Sequence, residues 1–284
     1  MPELATDVER LSLVIEIGGM PVRMHTTDPG FLAMLQDRYA GFVASSEHAE
    51  QSAEIDFDVD LRAPSSTDPD AEVSVTHQQG HWTLTRGDFR AEWEPAMRRG
   101  WVRQSANPYS IDAVLRIVHT LVLARQGGFL LHSASAIRNG KAFLFAGVSE
   151  AGKTTISRLA PPDVTLLTDE ISYVRKQDAR KDVRKDGTGY IAFGTPFTGE
   201  LAKLGENVSA PVAALYLLAK GSENRIEPIP AGEAARSLLA NLLFFAQDEE
   251  LVQSTFHSAF EFVSRAPVAR LTFVPDARVW ELIR

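Results

Sequence analysis

Short alternating stretches fill the first hundred positions, and longer apolar runs follow. Ser12–Ile17 and Val22–Thr26 flank Gly18-Gly19, which predicts a β-hairpin. Asp28-Pro29 then opens a helix running to about Val43, with Asp as its cap and Pro at the first helical position. Ile55, Phe57, Val59 and Leu61 alternate with Glu54, Asp56, Asp58 and Asp60, the period of a half-buried strand with an acidic outer face. Pro, Ser, Thr and Asp between Ala63 and Ala71 predict a loop. Strand-like pieces recur at Val73–Thr76, His81–Thr85, Phe89–Trp93 and Trp101–Gln104.

The rhythm changes after Asn107-Pro108. Ile111, Val114, Leu115, Val118, Leu121 and Val122 form one helical stripe, with Ser110 as its predicted cap and Gly127-Gly128 as its end. Strands are expected at Phe129–Ile137, Ala142–Ala146, Val164–Thr168, Ile171–Val174, Tyr190–Phe193, Ala213–Leu218 and Ala269–Phe273. Helices are expected at Lys153–Leu159, Gly232–Phe245, Glu249–Ser264 and near Val279. This mixture predicts an α/β fold with a phosphate-loop core over residues 109–284. Residues 1–108 are expected to form an antiparallel, β-rich α+β domain.

Charge sharpens that boundary. Residues 1–108 carry nine Arg, no Lys and eighteen Asp or Glu, a net charge of −9, whereas the remainder has twenty basic against nineteen acidic residues. An acidic front argues against general nucleic-acid binding. With no cysteine, neither disulfides nor thiolate metal sites can form, and a reducing compartment fits best. Met1–Arg10 lacks the basic-then-apolar pattern of a signal peptide, and the apolar runs Val212–Ala219 and Leu242–Ala246 are too short to cross a bilayer. A cytoplasmic protein without membrane partners is the expectation.

The strongest chemical signal is Gly147-Val-Ser149-Glu150-Ala151-Gly152-Lys153-Thr154, which matches G-x-x-x-x-G-K-[ST] and is followed by Thr155. In such a loop the backbone N–H groups face the phosphates, Lys153 adds a point charge and Thr154 offers a hydroxyl to magnesium. An apolar strand precedes it and a helix is expected after it. ATP and Mg²⁺ are the implied cofactors. Val164–Thr168 runs into Asp169-Glu170, where one carboxylate can hold the metal and the other can accept a proton; the residues leave the assignment open. Asn139-Gly140 predicts a two-residue hairpin turn. Arg138 then pairs with Lys141, and counting outward sets His132 opposite Gly147, beside the loop, where an imidazole could assist proton movement. The other six histidines are read as structural or surface.

Leu131-His132, the Asn139-Gly140 turn, the loop Gly147–Thr154 and the pair Asp169-Glu170 together resemble the kinase domain of HPr kinase/phosphorylase, in particular its paralogues of unassigned substrate. The resemblance spans about Gly128 to Glu170 and is weaker through Gly194–Gly199. It implies ATP-dependent phosphorylation of a hydroxyl, with a serine of a protein or peptide as acceptor and His132, Asp169 and Glu170 near the reacting groups. The family usually has Gly where Glu150 stands and Asp-Asp where Asp169-Glu170 stand, and its HPr-recognition signature has no counterpart here, so HPr itself is not the expected substrate. Two alternatives stay open: a nucleotide-gated regulatory protein with little catalysis, and a small-molecule kinase. Homo-oligomerisation also stays open.

Three further readings complete the sequence picture. The basic run from Arg175 to Asp186 is expected at a solvated hairpin tip, which would make Thr195, Pro196 and Phe197 at the other end candidate pocket residues. Asp56, Asp58 and Asp60 are read as an exposed face, not as a calcium site. Phe244, Phe245, Phe256, Phe260 and Phe262 are read as core.

Overall fold

The computed structural model describes residues 9–44, 55–63, 71–177, 188–201 and 204–284. The chain divides into two compact units, Met1–Leu115 and Arg116–Arg284. Most of the Ala63–Ala71 loop and of the basic run after Gln177, together with Glu54 and His48, lie outside the described residues.

In the first unit, β1 (Leu11–Ile17) and β2 (Met20–Thr26) form the hairpin at Gly18-Gly19. Both glycines have positive φ, the conformation such a turn requires. Helix α1 (Pro29–Arg38) follows, capped by Asp28, whose Oδ1 accepts the Phe31 N–H at 2.8 Å. It ends five residues before Val43. Strands β3 (Ile55–Leu61), β4 (Ser74–Gln78), β5 (His81–Arg86), β6 (Phe89–Glu94) and β7 (Arg99–Gln104) complete a seven-stranded sheet in the order β1-β2-β3-β7-β6-β5-β4. The expected antiparallel sheet is therefore corrected to a mixed one, because β3 runs parallel to both β2 and β7. Connections of that kind leave from the far end of a strand, which no hairpin signal announces.

Helix α2 (Pro108–Gln126) follows, starting two residues before the expected cap. Asn107 fills that role, its Oδ1 accepting the Ser110 N–H at 3.0 Å.

The second unit overturns the α/β expectation. Its strands are β8 (Phe129–Arg138), β9 (Lys141–Ala146), β10 (Thr165–Thr168), β11 (Ile171–Lys176), β12 (Tyr190–Phe193), β13 (Ser209–Lys220), β14 (Arg225–Pro228), β15 (Leu242–Leu243) and β16 (Val268–Phe273). Strand β8 pairs β11, β11 pairs β12, β12 pairs β13, β13 pairs β9, and β9 returns to β8. This is a closed five-stranded barrel, and it replaces the α/β phosphate-loop core. The physical cause is the connections. Asn139-Gly140 turns β8 straight back on itself as β9, and β10 and β11 both return antiparallel to β8. No helix crosses over between them except the six-residue α3 (Lys153–Arg158). Among the described residues of this unit, parallel pairing is confined to β9, β13 and β16.

Strand β9 reads as one apolar run because both its faces are covered. Ala142, Leu144 and Ala146 join one core with Phe129, Leu131 and Leu215, into which helices α4 (Ala231–Asn241) and α5 (Glu249–Arg265) set Leu238 and Phe262. Phe143 and Phe145 face a second core with Ile156, Phe273 and Trp280. On α5, Phe256 and Phe260 are 45% and 52% exposed, so these two are surface residues and not core as expected. Among the described residues no helix is long and apolar enough to cross a membrane.

Candidate functional site

The Gly147–Thr154 loop joins β9, in the middle of the barrel wall, to α3. Its shape depends on glycine at two points. A side chain on Gly147 would meet the Ala151 Cβ at 2.7 Å. Gly152, at φ +111°, lies so close to the Phe273 ring that a Cβ would come within 2.7 Å of it. Glu150 also adopts a left-handed conformation, with φ +62°. Lys153 bends back over the loop, and its Nζ donates to the Gly147 carbonyl at 3.0 Å.

This loop forms one wall of a cleft of about 760 Å³. Ser149, Glu150, Gly152, Lys153, Thr154 and Thr155 line it from the loop side, while His132, Asp169 and Glu170 line it from β8 and the β10–β11 turn. Gly147 and Ala151 are not among the residues that line the cleft, and Ala151 is buried in the second core. The hairpin register explains His132. Arg138 pairs Lys141 and Ser133 pairs Ala146, so His132 is the next position out, level with Gly147. It also pairs Ile171, directly after the acidic pair.

The two acids differ in surroundings. Asp169 is 6% exposed, and its carboxylate accepts two backbone N–H bonds, Oδ1 from Gly199 and Oδ2 from Leu201, both at 2.9 Å. Glu170 is half-buried at the cleft wall. The Thr168 hydroxyl fixes the turn between them by accepting the N–H groups of Glu170 and Ile171, each at 3.2 Å.

Sequence reasoning missed the opposite side of the cleft, which comes from Thr198, Gly199, Glu200 and Lys220. The Glu200 carboxylate accepts the Thr154 hydroxyl at 3.1 Å. Thr195, Pro196 and Phe197, expected to form a pocket, are instead buried just before this segment. The Thr195 hydroxyl donates to the Ile171 carbonyl at 2.9 Å, and the Phe197 ring lies under the Arg116 guanidinium. The usable signal was Gly199, a residue small enough to lie against Asp169 and Glu170.

Electrostatics follow this geometry. Burial, then the positive charges of Lys153 and Arg116, hold the His132 pKa below the ordinary histidine value, so the ring is neutral at pH 7. Burial also lowers the Lys153 pKa, while Glu170 and Glu200 pull it back up. The Thr154 hydroxyl and the Glu170 and Glu200 carboxylates are hard oxygen donors of the kind magnesium takes. Among the described residues no group of three or more His, Cys, Asp or Glu could hold a metal by itself. A metal here would therefore share its coordination with oxygens of a ligand.

The fold and cleft define a β-barrel protein whose glycine-bearing loop faces a carboxylate-lined wall. Residues 104–284 match the family model described as SynChlorMet cassette protein ScmC, and the chain belongs to that family. This corrects the resemblance to HPr kinase/phosphorylase, because the matching family is a different one. The quoted motifs are short, and a loop of eight residues with an acidic pair can sit in more than one family. No curated protein matches the chain.

Proposed function

We propose that the cleft binds ATP with Mg²⁺ and transfers the terminal phosphoryl group to a hydroxyl of a protein or peptide acceptor. One observation carries this reading: the loop residues Ser149, Glu150, Gly152, Lys153 and Thr154 and the acids Glu170 and Glu200 all line a single cleft of about 760 Å³. The loop amides and Lys153 would hold the outer phosphates. Thr154 and Glu200 would hold the magnesium ion, which supplies charge neutralisation at the phosphates. Glu170 takes the proton of the acceptor hydroxyl as its oxygen bonds to the γ-phosphorus. The bond from that phosphorus to the bridging oxygen breaks, and ADP leaves. His132, neutral and level with Gly147, would hydrogen-bond the transferring group or the acceptor. A cytoplasmic setting goes with this reading, since the chain has no cysteine and ATP is abundant there.

One observation favours a second reading, a nucleotide-gated protein with little turnover. Both carboxylate oxygens of Asp169 are engaged by backbone N–H groups, so half of the acidic pair is committed to holding the chain.

The test is calorimetry with ATP, with and without Mg²⁺, followed by transfer from γ-labelled ATP. The wild type should bind, and Lys153→Ala should weaken binding ten- to a hundredfold, since a hydrogen bond from a charged group is worth roughly 1.5–3 kcal/mol. Wild-type protein that takes up neither ATP nor GTP ends the proposal. Uptake without transfer to any acceptor selects the second reading.

A further inference from the structure

We infer that Asp169 is a positioning residue, which pins the Thr198–Leu201 segment so that Glu200 faces Thr154. The inference rests on the nucleotide reading above for its functional consequence, but its structural basis is separate. Asp169 stands at the end of β10, held by the barrel wall. Its two oxygens accept the N–H groups of Gly199 and Leu201, residues on either side of Glu200. Two amides fixed to one carboxylate set the orientation of the residue between them. Glu200 accordingly projects across the cleft, where its Oε2 meets the Thr154 hydroxyl at 3.1 Å.

Gly199 makes the approach feasible. A Cβ at that position would lie 3.1 Å from Asp169 Oδ2 and from both the Cβ and Oε2 of Glu170. Any larger residue would press on the acid pair, so the segment or those side chains would have to shift by a few tenths of an ångström. The chain between Thr154 and Glu200 spans forty-six positions, yet one buried carboxylate brings the loop hydroxyl and its acidic partner together. Asp169 borders the cleft, but each of its oxygens already holds a backbone N–H of the segment. Glu170 and Glu200, which also line the cleft, carry the direct chemistry.

The experiment combines a structural readout with a binding one on the full chain. In Asp169→Asn only one atom of the side chain can accept, so one of the two amides loses its partner. Amide hydrogen exchange at Gly199 and Leu201, measured without nucleotide, should be protected in the wild type and faster in Asp169→Asn and in Gly199→Ala. The Mg²⁺ concentration that half-saturates its effect on ATP binding should rise about tenfold in Asp169→Asn, Gly199→Ala and Glu200→Gln alike, the usual loss when a ligand's supporting group is removed. The double variant Asp169→Asn/Glu200→Gln should be no worse than Glu200→Gln alone, because both changes act through one carboxylate.

Additive losses in the double variant would overturn the inference. So would exchange rates and Mg²⁺ dependence that stay at wild-type values in both Asp169→Asn and Gly199→Ala. Gly199→Ala keeps every carboxylate, so it decides the matter if Asp169→Asn does not fold. A wild type that binds no nucleotide would sink the proposed function, and the exchange rates would still judge the brace.

Discussion

His132 and Glu200 mark the limits of what could be read residue by residue. His132 was legible because a two-residue turn fixes register, and six pairs outward from Asn139-Gly140 the count still holds. Glu200 was not, since it stands on a connecting segment whose position is set by hydrogen bonds to a residue thirty-one positions earlier in the chain. No periodicity encodes such a contact. The same cleft gives a direct residue-scale prediction. The His132 pKa is lowered by burial, and then by Lys153 and Arg116. A neighbouring cation disfavours the imidazolium, so removing one must raise the value. In Lys153→Ala, an NMR titration of the His132 ring should show its midpoint moving up toward that of an ordinary histidine. An unmoved midpoint would mean that the lysine charge does not reach the ring.

Among the elements, the helix after the loop is the one most dependent on its surroundings. Six residues make a weak helix by themselves, and the last carbonyls of any helix lack partners within it. The Ile156 carbonyl is such a group, and it accepts the Trp280 indole N–H at 3.1 Å. Trp280 belongs to a short 3-10 turn, Ala277–Leu282, and packs edge-on against Phe145 with ring centroids 5.5 Å apart. Arg138 donates to the Trp280 and Ile283 carbonyls and ties the turn to β8. The helical expectation near Val279 was right in placing a turn there, but one turn alone could not announce that it braces α3. Trp280→Phe keeps the ring contact and removes the donor, leaving a buried carbonyl without its partner. The expected cost is about 1–3 kcal/mol in a chemical denaturation curve. Weaker ATP binding should accompany it, because Lys153 and Thr154 stand on the same helix.

At the scale of the whole molecule, individual elements were easier to read than the way they close. Most strand segments of the second unit were legible from their apolar runs, yet runs do not say which neighbour a strand will choose. Strand β8 is the hub: it pairs β11 and β15 along its first half and β9 and β10 along its second. Barrel closure comes from these long-range choices, and an alternation of strands with helices reads as α/β in their absence. The packing within this unit also buries a histidine that sequence reasoning left as structural or surface. His119, on α2, is fully buried; among the described residues neither ring nitrogen has a partner, and its ring meets Tyr173 edge-on at 5.4 Å. Burial lowers its pKa to about 3, from 6.5 in the unfolded chain. The folded state therefore binds fewer protons than the unfolded one between those values, and stability must fall as pH drops through that window. The slope approaches about 1.4 kcal/mol per pH unit below 6.5, and it vanishes above that value, where both states are neutral. His132, with its pKa also lowered, adds to the loss with the same sign. Urea midpoints measured at pH 7.5, 6, 5 and 4 should decline for the wild type and decline less for His119→Leu, with the two curves converging or crossing toward acid. Parallel curves across that range would show that His119 takes up its proton without unfolding the chain.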